Sequence, residues 1–368
     1  MLRIAQVAPL HERVPPALYG GTERVVATLT DELVRRGHQV TLFASGDSQT
    51  IGDLKSPVDR SLRLDPEAGD PIAAHMLELA QVFERADEFD LIHCHVDYLA
   101  FPFGRLVRTP TVHTLHGRLD LPHFVPLFRH LRDVAVVSIS DAQRAPLRSL
   151  DVNWVGTVYH GVALESFPYS EAGGEYLAFL GRISPEKRPD LAIAVAKRLA
   201  IPLKIAAKVD AKDRAYFERE IRPLLDDPLI EFIGEIDEAT KPKFLGGAMA
   251  LLFPIDWPEP FGLVVIEAMA CGTPVVAFRR ASVPEIVEDG VTGRIVDNVD
   301  EAIAAIPQVL ALDRRRVRQR FEERFAVSRM ARDYVRVYRA LLAKRSKVDP
   351  EAFGLEPDLA RADRSLVD

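Results

Sequence analysis

Cysteine is nearly absent from this 368-residue chain, which has only Cys94 and Cys271. The two are far apart in sequence and each lies in an apolar run, so we expect buried thiols in a reducing compartment rather than a disulfide framework. The chain also lacks a basic excess, because its formal charge is −7, and this argues against a general nucleic-acid binder. No apolar run approaches the roughly 18 residues of a membrane-spanning helix, and residues 1–9 form a short strand pattern rather than a signal peptide. We therefore expect a cytoplasmic protein.

Two familiar binding motifs are missing as well. No Gly-x-Gly-x-x-Gly sequence follows the first strand pattern in either half of the chain, which counts against NAD or FAD. Histidine does not occur beyond residue 160, and His93 and His95 alternate onto one face of a buried strand pattern. No third ligand can be placed beside them, so we expect a structural or pocket-lining role rather than a metal site.

What the chain does contain is a regular alternation of short apolar runs with longer helical patterns, and this series restarts near residue 176. Alternating strands and helices are typical of parallel sheets that are covered on both faces. The sequence therefore predicts an α/β fold with two facing Rossmann-like domains. Because ligands of open parallel sheets bind at the carboxyl ends of the strands, we expect the site in the cleft between the domains.

The stretch 166–174 contains Gly, Pro and Ser without a clear period and separates the two series. We place the N-terminal domain at residues 1–168 and the C-terminal domain at 169–330. A last helical pattern, 331–346 in this division, is expected to cross back onto the first domain. Residues 347–368 are acidic, contain two prolines and lack a clear apolar face, so we expect a loose tail.

The segment from Glu259 to Glu267 carries the strongest functional signal. Pro260 and Gly262 suit an irregular entry into a helix that an apolar run would continue to residue 271. The backbone amides at this entry would form an anion site, and they belong to Phe261, Gly262 and Leu263. The two carboxylates would lie up to ~12 Å apart. That separation suits an extended ligand with an anion in its middle, such as a nucleotide sugar.

Three further loops follow strand patterns. Gly20 and Gly21 allow a backbone to approach a phosphate or sugar closely, although an ordinary turn explains them equally well. Arg182 and Lys187 flank a turn into a helix and would form a positive pocket for a diphosphate; taken alone, they would be a solvated basic turn. His116 directly follows a strand pattern, at the end of the strand where ligands bind.

Together these residues resemble a family-4 retaining glycosyltransferase of the GT-B type, from the first strand to about residue 345. The matching elements are the Gly20-Gly21 loop, residues 114–117, residues 181–187, and Glu259 with Glu267. The opening residues 4–25 are also similar to a bacterial subgroup labelled pterin glucosyltransferases, and the acceptor stays open.

The resemblance implies roles for these residues. Glu259 and the amides of residues 261–263 would contact the donor sugar and its phosphate, and Glu267 would hold the ribose hydroxyls. Arg182 and Lys187 would bind the diphosphate, and Gly20 and Gly21 would also contact the donor. His116 would lie near the anomeric centre and the acceptor.

The resemblance also concerns the base and the metal. The loop from Gly234 to Ile236 would meet the nucleobase, mainly through its backbone. Asp141 departs from the Glu or Lys often seen in its stretch, and we assign it no role. No Asp-x-Asp sequence occurs, so the metal clamp of the other main glycosyltransferase architecture is missing. We expect no metal and no cofactor, because Arg182, Lys187 and helix amides would replace Mg²⁺.

The predicted reaction moves a hexose from a nucleoside diphosphate sugar, of the UDP-glucose or GDP-mannose type, to a hydroxyl with retention of configuration. The acceptor would be a small molecule, a saccharide or a lipid-linked compound. Another GT-B enzyme, an epimerase or phosphorylase, and a non-catalytic nucleotide-sugar sensor are the alternatives. The segment 118–132 mixes apolar and basic residues and would suit an anionic membrane. Since the net charge is negative, we favour packing of this segment along the acceptor cleft.

Overall fold

The computed structural model describes residues 1–345 except residues 19, 64, 66 and 68, and only the backbone of residue 345. Strands of the first sheet are β1 (Arg3–Val7), β2 (Gln39–Phe43), β3 (Asp53–Lys55), β4 (Leu91–Cys94), β5 (Thr111–Thr114), β6 (Val136–Ser138) and β7 (Trp154–Thr157). Strands of the second sheet are β8 (Tyr176–Arg182), β9 (Leu203–Lys208), β10 (Ile230–Gly234), β11 (Ala248–Phe253), β12 (Val275–Phe278) and β13 (Gly293–Val296). The predicted tail, residues 347–368, lies outside the described residues.

Both sheets are parallel and doubly wound. The first has the order β3-β2-β1-β4-β5-β6-β7 and the second the order β10-β9-β8-β11-β12-β13. The strand order reverses beside the first strand of each sheet, which is where open α/β sheets form their ligand crevice. The predicted α/β fold with two Rossmann-like domains is therefore confirmed.

Helices cover the two sheets. Those that follow strands of the first sheet are α1 (Gly21–Arg35), α2 (Pro71–Glu84), α3 (Phe101–Gly104) and α4 (Phe124–His130). The remaining helices are α5 (Pro189–Leu199), α6 (Arg214–Tyr216), α7 (Lys241–Gly246), α8 (Leu263–Ala270), α9 (Val283–Ile286), α10 (Val299–Leu310), α11 (Arg314–Phe325) and α12 (Val327–Arg345). None of the described helices is long and apolar enough to cross a membrane.

Two helical predictions need correction. The pattern over residues 213–225 predicts one helix, but the chain forms α6, then a π-helical turn and a 3₁₀ turn. Pro223 explains the break, because it has no amide hydrogen for the carbonyl of Arg219 and its ring crowds that carbonyl. Helix α11 escapes the sequence reasoning because it is highly charged, and its buried residues are only Val317, Phe321 and Phe325.

Helix α12 packs on the first sheet although it follows the second in sequence. Its buried residues Met330, Tyr334 and Tyr338 share one apolar core with Ile4 and Val112. These α12 residues recur at intervals of four, so they lie on one face of the helix. The helix therefore completes the core of the first domain.

The chain crosses between the domains twice, and the two crossings lie side by side. The amide of Val162 donates to the carbonyl of Phe325 at 3.0 Å, and the amide of Val327 donates to the carbonyl of Val162 at 3.0 Å. A Cβ atom on Gly161 would be 2.9 Å from the carbonyl oxygen of Ala326. Glycine at this position permits the two crossing segments to approach each other closely.

Cys94 and Cys271 are both buried and unpaired. This confirms the expected buried thiols. Burial raises the pKa of the Cys271 thiol to about 12 and raises that of Cys94 as well, so both remain protonated and unreactive near neutral pH.

Candidate active site

A cavity of about 380 Å³ lies between the two domains, at the carboxyl ends of their strands. The first domain contributes Gly20, Gly21 and His116 to its wall. The second domain contributes the other predicted site residues that line it, namely Arg182, Lys187, Ile236, Glu259, Phe261, Gly262, Leu263 and Glu267. Gly234 does not line the cavity; it ends β10 with φ +77, a conformation that suits glycine. The fold thus gathers residues that are up to 247 positions apart (Gly20 to Glu267).

The entry of α8 is held by serines from both domains. Ser140 donates to the carbonyl of Pro260 at 2.6 Å, and Ser282 donates to the carbonyl of Phe261 at 2.9 Å. In a trans peptide the N–H points opposite to the carbonyl, so the amides of Phe261 and Gly262 point away from these serines. Gly262 has φ +93 and caps a helix that begins at Leu263, two residues later than the sequence predicts.

Glu259 is paired at the cavity wall. It accepts a hydrogen bond from the indole N–H of Trp257 at 2.9 Å and one from the ammonium of Lys187. The Lys187 ammonium also lies 4.7 Å from the centre of the Trp257 ring, within reach of a cation–π interaction. The predicted sugar-binding carboxylate and a predicted phosphate-binding cation therefore bind each other.

Arg182 is surrounded by carboxylates. Its guanidinium lies 3.3 Å from Asp210, 3.5 Å from Asp213 and 3.6 Å from Glu186. The sequence predicts a positive pocket here, but the cations Arg182 and Lys187 are paired with carboxylates. A diphosphate would have to take over these ion pairs.

Glu267 lies in an ion-pair cluster that joins the two domains. Its carboxylate is 2 % exposed and lies 3.1 Å from the Lys241 ammonium and 3.7 Å from the guanidinium of Arg24. Glu238 pairs with both cations, and its carboxylate is 2.6 Å from Lys241. Arg24 belongs to the first domain, so α1 and α8 are connected through charge. Sequence reasoning missed Arg24 and Lys241, and the only available signal was the position of Arg24 just after the Gly20-Gly21 loop.

His116 is enclosed by other histidines. Its ring stacks on that of His160, with centroids 5.3 Å apart and an angle of 15° between the planes. His160 in turn meets the Phe261 ring edge-on at 4.8 Å. Burial lowers the pKa of His116 to about 3, so the imidazole is neutral near pH 7.

A buried acid beside the glycine loop was also missed by sequence reasoning. Glu23 lines the cavity in the first turn of α1. Burial raises its pKa to about 7, an effect that the neighbouring Glu12 carboxylate reinforces and backbone amides oppose. Its burial is set by the fold, and no spacing in the sequence marks this residue.

Metal ligands are a separate question. Among the described residues, no group of three or more His, Cys, Asp or Glu side chains is arranged to hold a metal ion. Transfer without a metal stays a prediction.

Comparison with known proteins adds the family. The family model described as "Glycosyltransferase Family 4" matches residues 19–166, and "Glycosyl transferases group 1" matches residues 166–325. The chain belongs to the group 1, family 4 glycosyltransferases. The two matches meet at residue 166, where the chain crosses from the first domain to the second.

Individual relatives of this glycosyltransferase match it over most of their own length. It is 28% identical over 351 residues to a phosphatidyl-myo-inositol mannosyltransferase of Mycolicibacterium smegmatis, with 86% of each chain covered. It is 28% identical over 354 residues to a D-inositol 3-phosphate glycosyltransferase of Mycobacterium marinum, covering 79% of this chain and 73% of the relative. The crystal structure of AviGT4, a glycosyltransferase involved in avilamycin A biosynthesis, superposes with a TM-score of 0.72 at 26% identity, covering 93% of this chain and 98% of AviGT4.

Proposed function

We propose that this glycosyltransferase moves a hexose from a nucleoside diphosphate sugar, of the UDP-glucose or GDP-mannose type, to a hydroxyl acceptor with retention of configuration and without a metal. One observation carries the proposal. The peptide units of residues 260–262 are anchored so that two amides face away from their serine anchors at the start of α8, between Glu259 and Glu267. Amides at a helix N-terminus stabilise the negative charge that grows on a departing phosphate.

Different residues around α8 would bind different parts of the donor. Glu259 would accept hydrogen bonds from sugar hydroxyls, and Glu267 would accept them from ribose. Arg182 and Lys187 would exchange their carboxylate partners for the diphosphate. Each cation would then keep a negative neighbour before and after the exchange.

Donor binding is the first test. We expect one class of nucleoside diphosphate sugar to raise the melting temperature, with the same rise in EDTA and none in Glu267→Ala. Glu288→Ala is the matched control, since Glu288 pairs with Arg320 outside the cavity and its loss should leave the rise unchanged. A rise that disappears in EDTA would contradict the metal-free proposal.

Product analysis tests the reaction itself. Retention predicts that the anomeric configuration of the donor sugar survives in the product, which proton NMR of the first turnovers will report. The departing phosphate oxygen would take the proton of the acceptor on the same face of the sugar. A covalent Glu259 intermediate, as in retaining glycosidases, is the other route to retention. Normal turnover by Glu259→Gln would exclude that route and remove the proposed sugar contact.

The alternatives predict different products. Epimerised or hydrolysed donor in the absence of an acceptor would indicate an epimerase or hydrolase, and dependence on inorganic phosphate would indicate a phosphorylase. Donor binding without any turnover over a broad acceptor panel would favour a sensor.

The acceptor would approach through a second cavity of about 460 Å³, which shares Trp257, Glu259 and Pro260 with the first. Arg118, Arg148 and Arg280 line it, the first paired with Asp120 and the last with Asp256, and a phosphorylated acceptor would compete for these arginines. Two of the relatives are named for inositol compounds that bear phosphate. We therefore propose phosphorylated polyols as the first acceptors to test, against neutral polyols, pterins and lipid-linked saccharides. Higher kcat/KM on a neutral polyol than on its phosphate would refute this choice. A cytoplasmic location, where sugar donors are made, is part of the proposal.

A further inference from the structure

A chain of buried polar side chains runs from helix α12 through the first sheet to His116. It contains Tyr334 and Tyr338 of α12, Gln6 of β1, His93 and His95 at the end of β4, and Thr114 of β5. All are buried, with exposures of 0–1 %. Burying six polar side chains costs free energy unless each is hydrogen-bonded. The hydrogen bonds among them therefore determine whether this set is stable.

The connections are short. Gln6 links the Tyr338 hydroxyl, 3.2 Å from its Nε2, to His95, whose Nε2 is 2.8 Å from its Oε1. His95 Nδ1 then lies 2.8 Å from His116 Nε2. On the other side of Tyr338, its hydroxyl lies 2.7 Å from His93 Nδ1.

The remaining part of the chain returns to α12. His93 Nε2 lies 2.7 Å from the Thr114 hydroxyl, and that hydroxyl lies 3.0 Å from the hydroxyl of Tyr334. The line therefore starts at Tyr334 of α12, passes Tyr338 on the same helix face, and ends at His116, where it reaches the cavity.

The positions of the ring protons on His95 and His116 follow from which of their hydrogen-bond partners can only accept. The amide oxygen of Gln6 can only accept, so His95 Nε2 must donate to it. A neutral imidazole has one N–H, so His95 Nδ1 must accept, and His116 Nε2 must donate to it. This leaves His116 Nδ1 without a hydrogen, and among the described residues it has no hydrogen-bond partner.

This assignment of protons holds for neutral rings, and the burial of the three histidines supports neutrality. Burial lowers the pKa of His93, His95 and His116, in each case because a buried imidazolium would lose its hydration. The rings therefore act as fixed dipoles rather than as charges. The backbone of His116 is held as well, since its amide donates to the carboxylate of Asp97.

We propose that Gln6, His95 and Tyr338 are positioning residues that fix the ring and the tautomer of His116, so that its buried Nδ1 carries no hydrogen and can act only as a hydrogen-bond acceptor. A sugar hydroxyl is the group that such a nitrogen binds. His116 then orients the donor sugar and does not deliver a proton to the departing phosphate. The link to catalysis rests on the proposed function, whereas the tautomer itself does not.

Nitrogen-15 NMR of histidine-labelled full-length protein tests the inference directly. We expect the protonated nitrogen of His116 to be Nε2, with a scalar coupling across the hydrogen bond to His95 Nδ1. Because that proton is buried and hydrogen-bonded, its downfield signal should remain visible at pH 7. His116→Gln assigns the signal by its loss. A proton on Nδ1 of His116 would overturn the proposal.

Variants at Gln6 separate positioning from folding. Gln6→Met keeps the length of the side chain but removes both hydrogen bonds, and we expect the downfield signal to disappear. Gln6→Glu keeps an oxygen that accepts from His95, and a protonated carboxyl can still donate to Tyr338, so the signal should survive. Tyr338→Phe should weaken the His116 signal although it lies 222 positions away in sequence (338 − 116), because it removes the hydroxyl that Gln6 binds.

His113→Phe is the matched control. His113 is a histidine of the same sheet with 1 % exposure, and it packs on Phe101 outside the chain of hydrogen bonds. It should lower stability without moving the His116 signal. An unchanged signal in Gln6→Met, or its loss in His113→Phe, would refute a specific connection.

Kinetics with the donor give the second readout. We expect Gln6→Met to lower kcat by about tenfold with little change of KM for the acceptor, because a misplaced imidazole disturbs the orientation of the reacting sugar. Gln6→Glu should restore most of kcat. If the wild type transfers no sugar at all, the proposed function fails while the NMR result still decides the tautomer.

Discussion

At the scale of single residues, the site is defined by charges that compensate one another before any ligand binds. Lys187 neutralises Glu259, while Lys241 and Arg24 neutralise Glu267. A buried ion pair is weak support for stability as a whole, but removal of one partner leaves the other desolvated and alone. Substitutions at these residues should therefore affect folding as well as binding.

Glu267 and Glu238 provide a matched comparison, because both pair with Lys241 and Arg24. Glu267→Gln should lower the free energy of unfolding by about 1–3 kcal/mol, since its carboxylate is buried. Glu238→Gln should cost less than about 1 kcal/mol, because the Glu238 carboxylate is 34% exposed and solvent screens it. Urea unfolding at pH 7 measures both. Equal losses would mean that burial does not distinguish the two glutamates.

Glu23 should make stability depend on pH. Its folded-state pKa is raised to about 7 by burial, so the unfolded chain loses this proton first as pH rises, and native stability falls from about pH 4.5 to 7. Glu23→Gln removes that loss and should stabilise the protein by up to about 3 kcal/mol at pH 8 relative to its effect at pH 4.

Urea unfolding of Glu23→Gln at the two pH values measures this difference. Glu84→Gln, on the exposed side of α2, should have the same effect at both pH values. A pH-independent effect of Glu23→Gln would show that the carboxyl ionises normally.

At the scale of elements, two histidine–glycine pairs follow strands of the first sheet and differ only in their surroundings. A Cβ on Gly161 would be 2.9 Å from the Ala326 carbonyl, whereas a Cβ on Gly117 would meet nothing within 4 Å. The first glycine is required by the contact between the two crossings, and the second is not.

Gly161→Ala should therefore lower the free energy of unfolding by about 1–3 kcal/mol, the usual cost of a forced backbone shift. Gly117→Ala should change it by less than about 0.5 kcal/mol. Thermal and urea unfolding compare the two. A loss in Gly117→Ala as large as in Gly161→Ala would contradict the steric explanation.

At the scale of the whole molecule, the first domain depends on the end of the described chain. Met330, Tyr334 and Tyr338 are part of the core beneath β1 and β5, although 160 residues of matched second domain (166–325) separate α12 from that sheet. Inter-domain contacts add to this dependence, since Glu285 accepts from the amides of Asp141 and Ala142.

Met330→Ala should accordingly destabilise the first sheet by about 2–5 kcal/mol, the range for buried truncations. Hydrogen exchange followed by mass spectrometry should show faster exchange in β1 and β4 than in β8 and β9. Arg336→Ala, on the exposed face of the same helix, should change neither. Faster exchange confined to the second sheet would contradict the placement of α12.

Much of the fold was predictable because buried parallel strands are short apolar runs. Such runs can be recognised in the sequence without knowing how their side chains pack. The edge strand β3 was missed because Asp53-Leu-Lys55 is short and largely exposed, so it carries no apolar pattern. For the candidate site, the strand-end loops and the α8 entry could be located, since glycine, proline and acids mark such turns. Lys241 and Glu23 could not, because nothing local distinguishes a charged residue that will face a cavity. Arg24 had only its position just after the Gly20-Gly21 loop as a signal.

The sequence by itself determined the two parallel-sheet domains, the position of the cleft and the family resemblance, since each depends on periodicity or on local turn chemistry. Only the tertiary structure decided which charges compensate one another and which histidine holds His116. Gln6, His95 and Tyr338 are 89 and 332 positions apart along the chain, counted from Gln6. Hydrogen bonds and ion pairs act over about 3–4 Å, so they depend on how the elements pack and leave no mark in the order of residues.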